Sequence, residues 1–538
     1  MGNVVVYGSD FMAFSAAASA ARFTDNVILI SPSPIAKLGG IGTIGGQNYF
    51  DTRPWGQDKK QVQKGTFKQL LDLYGQFYNT DTMANYLSNH LTSSSLNVTI
   101  YHCYDITSVT TVSNPYRISA VTIKSISRNS AGNIVWGTST QTITGDIFID
   151  ASVEGRLART VNSAVTTGRY DWPSNTLDTV EQGTNYVARQ QAATLMFKVT
   201  GVVDITTSDM IFGEHDGTKV KYAYGGTSAY KNNSVIKSFN NAHAPSGYMI
   251  KPVNAAQNGP GSTEWWVNAF LIFDVDGRAN FRDFNTSFYP SSTISGYKTT
   301  DAAWIAARNF LKNESGYLNA LRQYDGFSQV DFVYDSDGYP VVGEVLYIRE
   351  TVHMSMDSSL RGNNTENTNY QITANESLNA GSSATSSAAD YGNYANRIGL
   401  LYYYADVHPY KYTDLRSNQG EYLWSADSWN DMRGNMFTSD TPTNPVYAPY
   451  ECLLSGYVAN LLIPGYAANI SSLSWGEARV FPNLMVLGDA AGVAAAVCKN
   501  NDTQPLYITQ TLMQDVQSKL VNTIHACLDK DQAWILSL

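Results

Sequence analysis

The sequence predicts an α/β fold: a parallel-sheet domain of the dinucleotide-binding type, interrupted by a β-rich domain and completed by the C-terminal part of the chain. Three observations carry this. Val4-Val5-Val6-Tyr7-Gly8-Ser9-Asp10-Phe11-Met12-Ala13 runs an apolar strand into a glycine turn and then an alanine-rich stretch. Near the other end, Asn483-Leu484-Met485-Val486-Leu487-Gly488-Asp489-Ala490-Ala491-Gly492 repeats that plan. Between them, from about Tyr170 to Pro442, the texture changes to aromatic-rich strands and polar loops. A strand that stops at a glycine and opens a helix aims free N–H groups and a positive dipole end at whatever lies above the sheet, usually a pyrophosphate. An ordinary buried strand before a small-residue helix writes the same pattern, so neither segment decides alone.

The elements follow in order. After the first helix, Val27-Ile28-Leu29-Ile30 is a second apolar strand, giving βαβ order. Lys37 to Gln47 is a glycine-dense loop that either lets backbone approach a flat ligand or simply runs over the surface. Helical patterns appear at Phe67 to Tyr74 and Met83 to Leu87. Alternating strands from Val98 to about Thr144, turned at Ser113-Asn114-Pro115 and Ala131-Gly132-Asn133, read as a β-meander that closes on Asp146-Ile147-Phe148-Ile149-Asp150-Ala151. Within the middle region Ala302 to Leu311 is helical, and Met356 to Tyr391 is dense in Ser, Asn, Thr, Gly and Ala and predicts long loops. Leu512 to Leu528 predicts a closing amphipathic helix. The domain bounds are 1–169 and 443–538 for the two parts of the sheet domain and 170–442 for the insertion.

Composition narrows the function. In 538 residues, 36 Lys and Arg face 46 acidic residues, a formal charge of -10, which gives a phosphate-backbone partner no electrostatic support. Only 15% of residues are charged and 35 are tyrosines. Such a neutral polar surface is more usual outside the cytoplasm or in virus particles, and is compatible with an oligomer or larger assembly. Cys103, Cys452, Cys498 and Cys527 form no Cys-x-x-Cys pair, so they predict buried thiols rather than a metal or redox site. Met1-Gly2 leads straight into the first strand, leaving no room for a signal segment, and Val6 stands where a myristoylation signal requires Ser or Thr. No apolar run of about 18 residues predicts a membrane span. The reading is of a soluble chain that uses a small molecule.

The motifs resemble one family. Leu38-Gly39-Gly40, Thr43, Gly45-Gly46 and Asp51, then Phe148-Ile149-Asp150-Ala151-Ser152-Val153-Glu154-Gly155, resemble the FAD-dependent oxidoreductases, whose glutathione-reductase-like, Rossmann-like FAD domain is split by a substrate domain. Gly338-Tyr339-Pro340, Leu346 to Thr351, Gly399, Asp406-Val407-His408-Pro409, Asn460-Leu461-Leu462, Arg479-Val480 and Gly488-Asp489 follow in the family's order. The resemblance implies non-covalent FAD. Gly8 and Ser9 would mark the pyrophosphate turn, and Gly39, Gly40, Thr43, Gly45 and Gly46 would line the flavin. Asp150 and Ala151 would close over it, while Gly488, Asp489 and Gly492 would open a helix beside the ribityl chain. Arg349, Glu350, Asp406 and His408 would face the substrate. His408 is either the general base or a cap on a buried turn, and Arg349 and Glu350 either orient substrate or form an ion pair.

Two positions depart from that pattern. Asp10 stands where a second glycine would admit the diphosphate, and an ionised Asp10 would repel it by about 1 kcal/mol or several. Ser31 replaces the acidic residue that would hold both ribose hydroxyls. Two function classes follow: a flavoenzyme oxidising an alcohol-, amine- or sugar-like substrate by hydride transfer, or a non-catalytic structural or binding protein, virion- or surface-associated, that keeps the fold.

Overall fold

The computed structural model describes residues 2–57, 59, 61–161, 163, 165–168, 190–290, 294–354, 372–383, 387, 390, 393–415 and 441–531. The first strand, β1 (Val4–Tyr7), is followed by α1 (Phe11–Ala21) and β2 (Val27–Ser31), as the alternation of apolar and small residues predicts. β3 (Thr99–His102) leads into a three-stranded meander of β4 (Tyr104–Val112), β5 (Arg117–Arg128) and β6 (Ile134–Thr144), whose turns fall where proline, asparagine and glycine place them. β7 (Ile147–Asp150) returns to the sheet beside β1.

The parallel sheet has the order Leu461–Leu462, β7, β1, β2, β3. β1 is hydrogen-bonded on both edges, with Tyr7 opposite Ile30 on one side and Asp150 on the other. Its two faces are both covered, which explains four consecutive apolar residues with no exposed surface. Val4 and Val6 pack with α1 and the Phe481–Asn500 helix, while Val5 and Tyr7 pack with the meander. The carboxyl ends of β1, β2 and β7 therefore meet at one edge.

The C-terminal plan differs from expectation. Asn483 to Leu487 is not a strand, and Gly488 and Asp489 do not open a helix: they lie inside one continuous helix, Phe481–Asn500. Leu461–Leu462 is the returning strand, parallel to β7. An apolar run between glycines fits a buried strand or a helix buried all round, because neither shows polar periodicity. Gly488 and Gly492 serve the crossing of this helix over α1, since a Cβ on either would strike the carbonyl oxygen of Met12 or Ala16. The helix is long and apolar enough to cross a membrane by composition, yet from Phe481 to Cys498 it is buried in the protein.

The middle of the chain builds a seven-stranded antiparallel sheet centred on Tyr248–Gln257 and Trp265–Ile272. The Ser234–His243, Thr300–Asn313 and Ser315–Leu321 helices pack on it through Phe239, Trp304 and Tyr317. The expected boundary at 169/170 lies outside the described residues, as does much of Met356 to Tyr391; the described part of that stretch includes a helix, Ala374–Asn379, with a Thr373–Glu376 capping box. The closing helix spans Gln510–Lys519 and ends in a wider turn over Leu520–Ile524, short of Leu528. Cys452, Cys498 and Cys527 are buried, Cys103 is partly exposed, and none is bridged.

A buried ion cluster fastens the meander and the turn after β7 to the Phe281–Asp283 turn. Arg156 donates to both carboxylate oxygens of Asp283 at 2.5 and 2.8 Å and lies 3.2 Å from Asp105, and Arg282 also pairs with Asp105. Tyr7, at the end of β1, donates to Asp105 at 2.7 Å.

Candidate functional site

A cleft with about 940 Å³ of empty space, open at its mouth, runs along the carboxyl ends of β1, β2 and β7. This edge, where the strand order reverses direction from β1, is where open α/β sheets bind ligands. Gly8, Ser9, Asp10, Ser33 and Gly40 line one wall, and Arg282, Trp304 and Leu346 from the middle of the chain line the other. Gly8 has φ +149°, and a Cβ there would collide with the carbonyl oxygen of Ala151. The bare glycine lets the end of β7 cross close to the β1–α1 turn.

The glycine loop lies on the N-terminus of α1. Gly39 N–H donates to the Ser9 carbonyl at 2.8 Å, and Ile41 N–H donates to Asp10 Oδ1 at 2.9 Å. Burial pushes the Asp10 carboxyl up to about 6, against the opposing pull of that Ile41 bond. Thr43 turns inward, its hydroxyl donating to the Leu38 carbonyl at 2.6 Å, and holds the loop rather than a ligand. Gly46 meets the ring of Trp266 and so admits the Trp265–Ile272 strand, whereas a Cβ on Gly45 would strike Ile41 of its own loop and it is Gly343 whose bareness lets the Gly45 backbone approach.

Several expected cofactor residues are engaged elsewhere. Ser31 Oγ, wholly buried, donates to Ser9 Oγ at 3.1 Å, and Ser33 is the serine beyond β2 that reaches the cleft. Asp150 accepts from Ser152 Oγ at 2.6 Å and from Ala158 N–H at 2.9 Å, which knots the turn after β7. Asp489 accepts from Ser19 Oγ at 2.7 Å and from Thr66 N–H at 3.0 Å and Oγ1 at 2.9 Å, in the helix packing. Asp489, Gly488 and Gly492 thus tie helices together, away from the strand ends.

Beside the cleft lies a buried cluster of charged groups. The segment Leu346-Tyr347-Ile348-Arg349 contributes to both: Leu346 and Ile348 line the cleft, while Tyr347 and Arg349 belong to the charged cluster. Tyr466 lines the cleft, donates to the Ile348 carbonyl at 2.9 Å and lies within electrostatic reach of Arg349 and Arg479. Arg479 donates to Asp406 Oδ2 and to the Tyr347 hydroxyl, both at 2.7 Å. His408 Nε2 is 3.5 Å from the same Asp406 oxygen. Asp406 keeps 41% of its side-chain surface open, which leaves space beside its carboxylate. Burial raises its pKa, but His408 and Arg479 outweigh this and hold it well below the carboxylate range.

The structure brings together Arg349, Asp406 and His408 and leaves Glu350 aside. Glu350 is wholly buried with His353 Nε2 at 2.9 Å and the Ser472 hydroxyl, so it neither joins this group nor pairs with Arg349. Burial, then the nearby Arg349, lowers the His408 pKa to about 3, leaving a neutral imidazole. Two members escaped the sequence reading of roles. Asp51, raised to about 6 by burial, follows the glycine loop, and Lys251, lowered to about 7 by burial and then Arg349, sits in the Tyr248–Gln257 strand. The available signal for Lys251 was a lone cation inside an otherwise apolar strand.

The family model for FAD dependent oxidoreductase matches residues 3–520. The chain belongs to this family. No curated protein matches it. Among solved structures, a geranylgeranyl bacteriochlorophyll reductase-like protein from Thermoplasma acidophilum is 9% identical over 100% of this chain and 88% of its own, with a TM-score of 0.37. GidA from Aquifex aeolicus is 9% identical over 99% of this chain and 72% of its own, with a TM-score of 0.39. The myxobacterial halogenase CndH is 12% identical over 50% of this chain and 53% of its own, with a TM-score of 0.25.

FAD is the cofactor of this oxidoreductase family, and the backbone here fits it. The bare Gly8 turn, the start of α1 and Ser33 beyond β2 offer the diphosphate and ribose their usual surroundings. The charges fit less well. Asp10, Glu154, Asp301 and Glu344 line the cleft against Arg128 and Arg282, and Arg282 and Arg128 already hold Asp105 and Glu344.

Proposed function

We propose that this chain is a flavoenzyme that oxidises a small polar substrate held at the charged cluster beside the cleft. The observation that carries this is the shared segment: four residues, Leu346 to Arg349, give apolar side chains to the cleft and Tyr347 and Arg349 to the charged cluster. FAD, when bound non-covalently in the cleft, supplies the hydride acceptor. Arg349 and Arg479 orient the substrate. Lys251 takes the proton from the substrate hydroxyl or amine at its Nζ, because it is the basic group poised nearest neutrality. His408, held by Asp406, accepts a hydrogen bond from the substrate as neutral imidazole and serves as the weaker base. Tyr466 and the Leu346–Arg349 segment keep water from the cluster.

The test is anaerobic bleaching of the FAD-loaded protein by a panel of alcohols, amines and sugars. Lys251→Met should slow the bleaching step about a hundredfold, the lower end expected for a lost general base, and remove the limb of the pH profile near 7. Full-rate bleaching in the variant would remove Lys251 from this role, and a panel that never bleaches a loaded wild-type flavin would remove the enzyme reading. The engagement of Asp10 with Ile41 favours the second, non-catalytic reading, which requires that FAD fail to bind at any concentration.

A further inference from the structure

Resting on the reading of the charged cluster as a substrate site, we infer that its ligand carries a carboxylate and that Arg349 receives it. Arg349 is 1% exposed. Its Nη1 donates to the Ala192 carbonyl at 2.6 Å and its Nη2 to the Thr194 hydroxyl at 2.8 Å, both neutral acceptors. The guanidinium carbon lies 4.5 Å from the centre of the Tyr347 ring, and the buried Nε–H has no hydrogen-bond partner. Among the described residues no carboxylate lies within ion-pair distance of it. Arg156, Arg278, Arg282 and Arg479 are comparably hidden, and each holds a carboxylate. A buried charge is normally paired, because leaving water uncompensated is costly. Unlike these four, Arg349 meets only neutral acceptors, and it lies within electrostatic reach of Arg479 and Asp406.

The neighbouring carboxylates are committed elsewhere. Asp406 is taken by Arg479 and His408, and Glu350 by His353 and Ser472. Lys251, Arg349 and Arg479 therefore face Asp51 and Asp406: one positive charge in excess when Lys251 is protonated, an even balance when it is the neutral base, and Arg349 without a carboxylate of its own in either state. Arg479 Nε, Gln47 Oε1 and Asn268 Oδ1 are further buried polar atoms around the cluster without hydrogen-bond partners. A small anion with additional polar groups answers both deficits. A carboxylate matches the planar guanidinium, and a hydroxyl or amine on the adjacent carbon matches the chemistry proposed above. The class is thus small 2-hydroxy or 2-amino acids. Binding would also cancel the Arg349 charge that lowers His408, so the imidazole becomes more basic once substrate is in place.

The experiment uses the full chain with and without FAD and reads thermal unfolding and calorimetric binding rather than turnover. The probes are lactate, glycolate and alanine, their neutral counterparts lactamide and 1,2-propanediol, and inorganic phosphate. The carboxylates should raise the unfolding temperature and the neutral compounds and phosphate should not. Arg349→Met should abolish the carboxylate shift while unfolding at the same temperature as wild type or higher, because an uncompensated buried charge has been removed. Arg349→Lys should weaken carboxylate binding about tenfold, and it supplies the measurement if the Met variant does not fold. Neutral compounds binding as tightly as their acids, or carboxylate binding that survives in the Arg349 variants, would overturn the inference. Arg349-dependent binding without any flavin bleaching keeps this inference and removes the flavoenzyme reading; bleaching by neutral alcohols with no carboxylate binding does the reverse.

Discussion

The carboxylate of Asp10 accepts the backbone N–H of Ile41 at 2.9 Å, so the glycine loop and the start of α1 are joined by an anion that belongs to the chain itself. Asp10 is the N-cap of α1 but makes no side-chain bond to its own helix. A diphosphate approaching this turn meets a negative charge that already uses one of the nearby N–H groups. With the Asp10 pKa near 6, protonation at pH 5 should tighten FAD binding and ionisation at pH 8 should weaken it. Asp10→Asn keeps the shape and removes the charge. We expect it to bind FAD about tenfold more tightly at pH 8, the equivalent of about 1.4 kcal/mol, and to flatten the pH dependence. Fluorescence titration with FAD at the two pH values measures both, and an Asn variant that keeps the wild-type pH slope would contradict this account.

The packing of Gly488 and Gly492 on α1 leads to a prediction about stability. A methyl group at either position would strike backbone carbonyls of α1, which cannot move as a side-chain tip can. Gly488→Ala should therefore destabilise the protein by about 1–3 kcal/mol, despite alanine's better helix propensity. Gly492→Ala should behave likewise. Urea unfolding checks this, and a more stable variant at either site would mean that the helices are not in close contact there.

How much of this was legible in the sequence can be seen residue by residue. Tyr7-Gly8 was readable because a strand buried on both faces is continuously apolar and its glycine ends it. Asn483 to Leu487 was misread because a helix buried all round loses the 3.6-residue signal, while the true return strand, Leu461–Leu462, is two residues long and too short to carry a pattern. Arg349, Asp406 and His408 could be named but their arrangement could not, since only the fold shows that Arg349 meets the neutral acceptors Ala192 and Thr194 while Asp406 is held by Arg479. Lys251 and Asp51 become notable only when the fold brings them near Arg349 and Arg479. Ser31 looked like a ribose ligand from its place at the end of β2, and only its bond to Ser9 shows where it points.

Asp489 supplies a pH test that is independent of any ligand. Burial raises its pKa to about 7, more than its bonds from Ser19 and Thr66 lower it. The folded protein therefore binds this proton more tightly than the unfolded chain, whose carboxyl titrates near 4. Stability from this group is fully present below about pH 4 and is lost as pH rises toward 7, by about 4 kcal/mol at most. Asp489→Asn should show a smaller fall in stability between pH 4 and 7 than wild type. Equal slopes would show that folding leaves the Asp489 carboxyl's pKa unchanged.

The buried ion cluster gives the last prediction. Arg156 has no exposed surface, and Asp283 meets its two terminal nitrogens at 2.5 and 2.8 Å. Asp105 is shared by Arg156, Arg282 and Tyr7, so the parallel sheet, the meander and the Phe281–Asp283 turn are held at one point. Removing Asp283 leaves Arg156 with the Ile106 carbonyl, with Glu154 at 3.9 Å and with Asp105, itself already engaged by Arg282. Asp283→Ala should cost about 3–5 kcal/mol, the range for breaking a buried pair, whereas Asp283→Asn, which keeps an acceptor for one of the two bonds, should cost less. Because the cluster lies at the cleft wall through Arg282, the Ala variant should also loosen that side of the cleft. Hydrogen exchange should then rise in the Phe281–Asp283 turn and in β4 before global unfolding. A variant whose exchange rises evenly along the chain would show that the cluster stabilises the whole chain without fastening this junction.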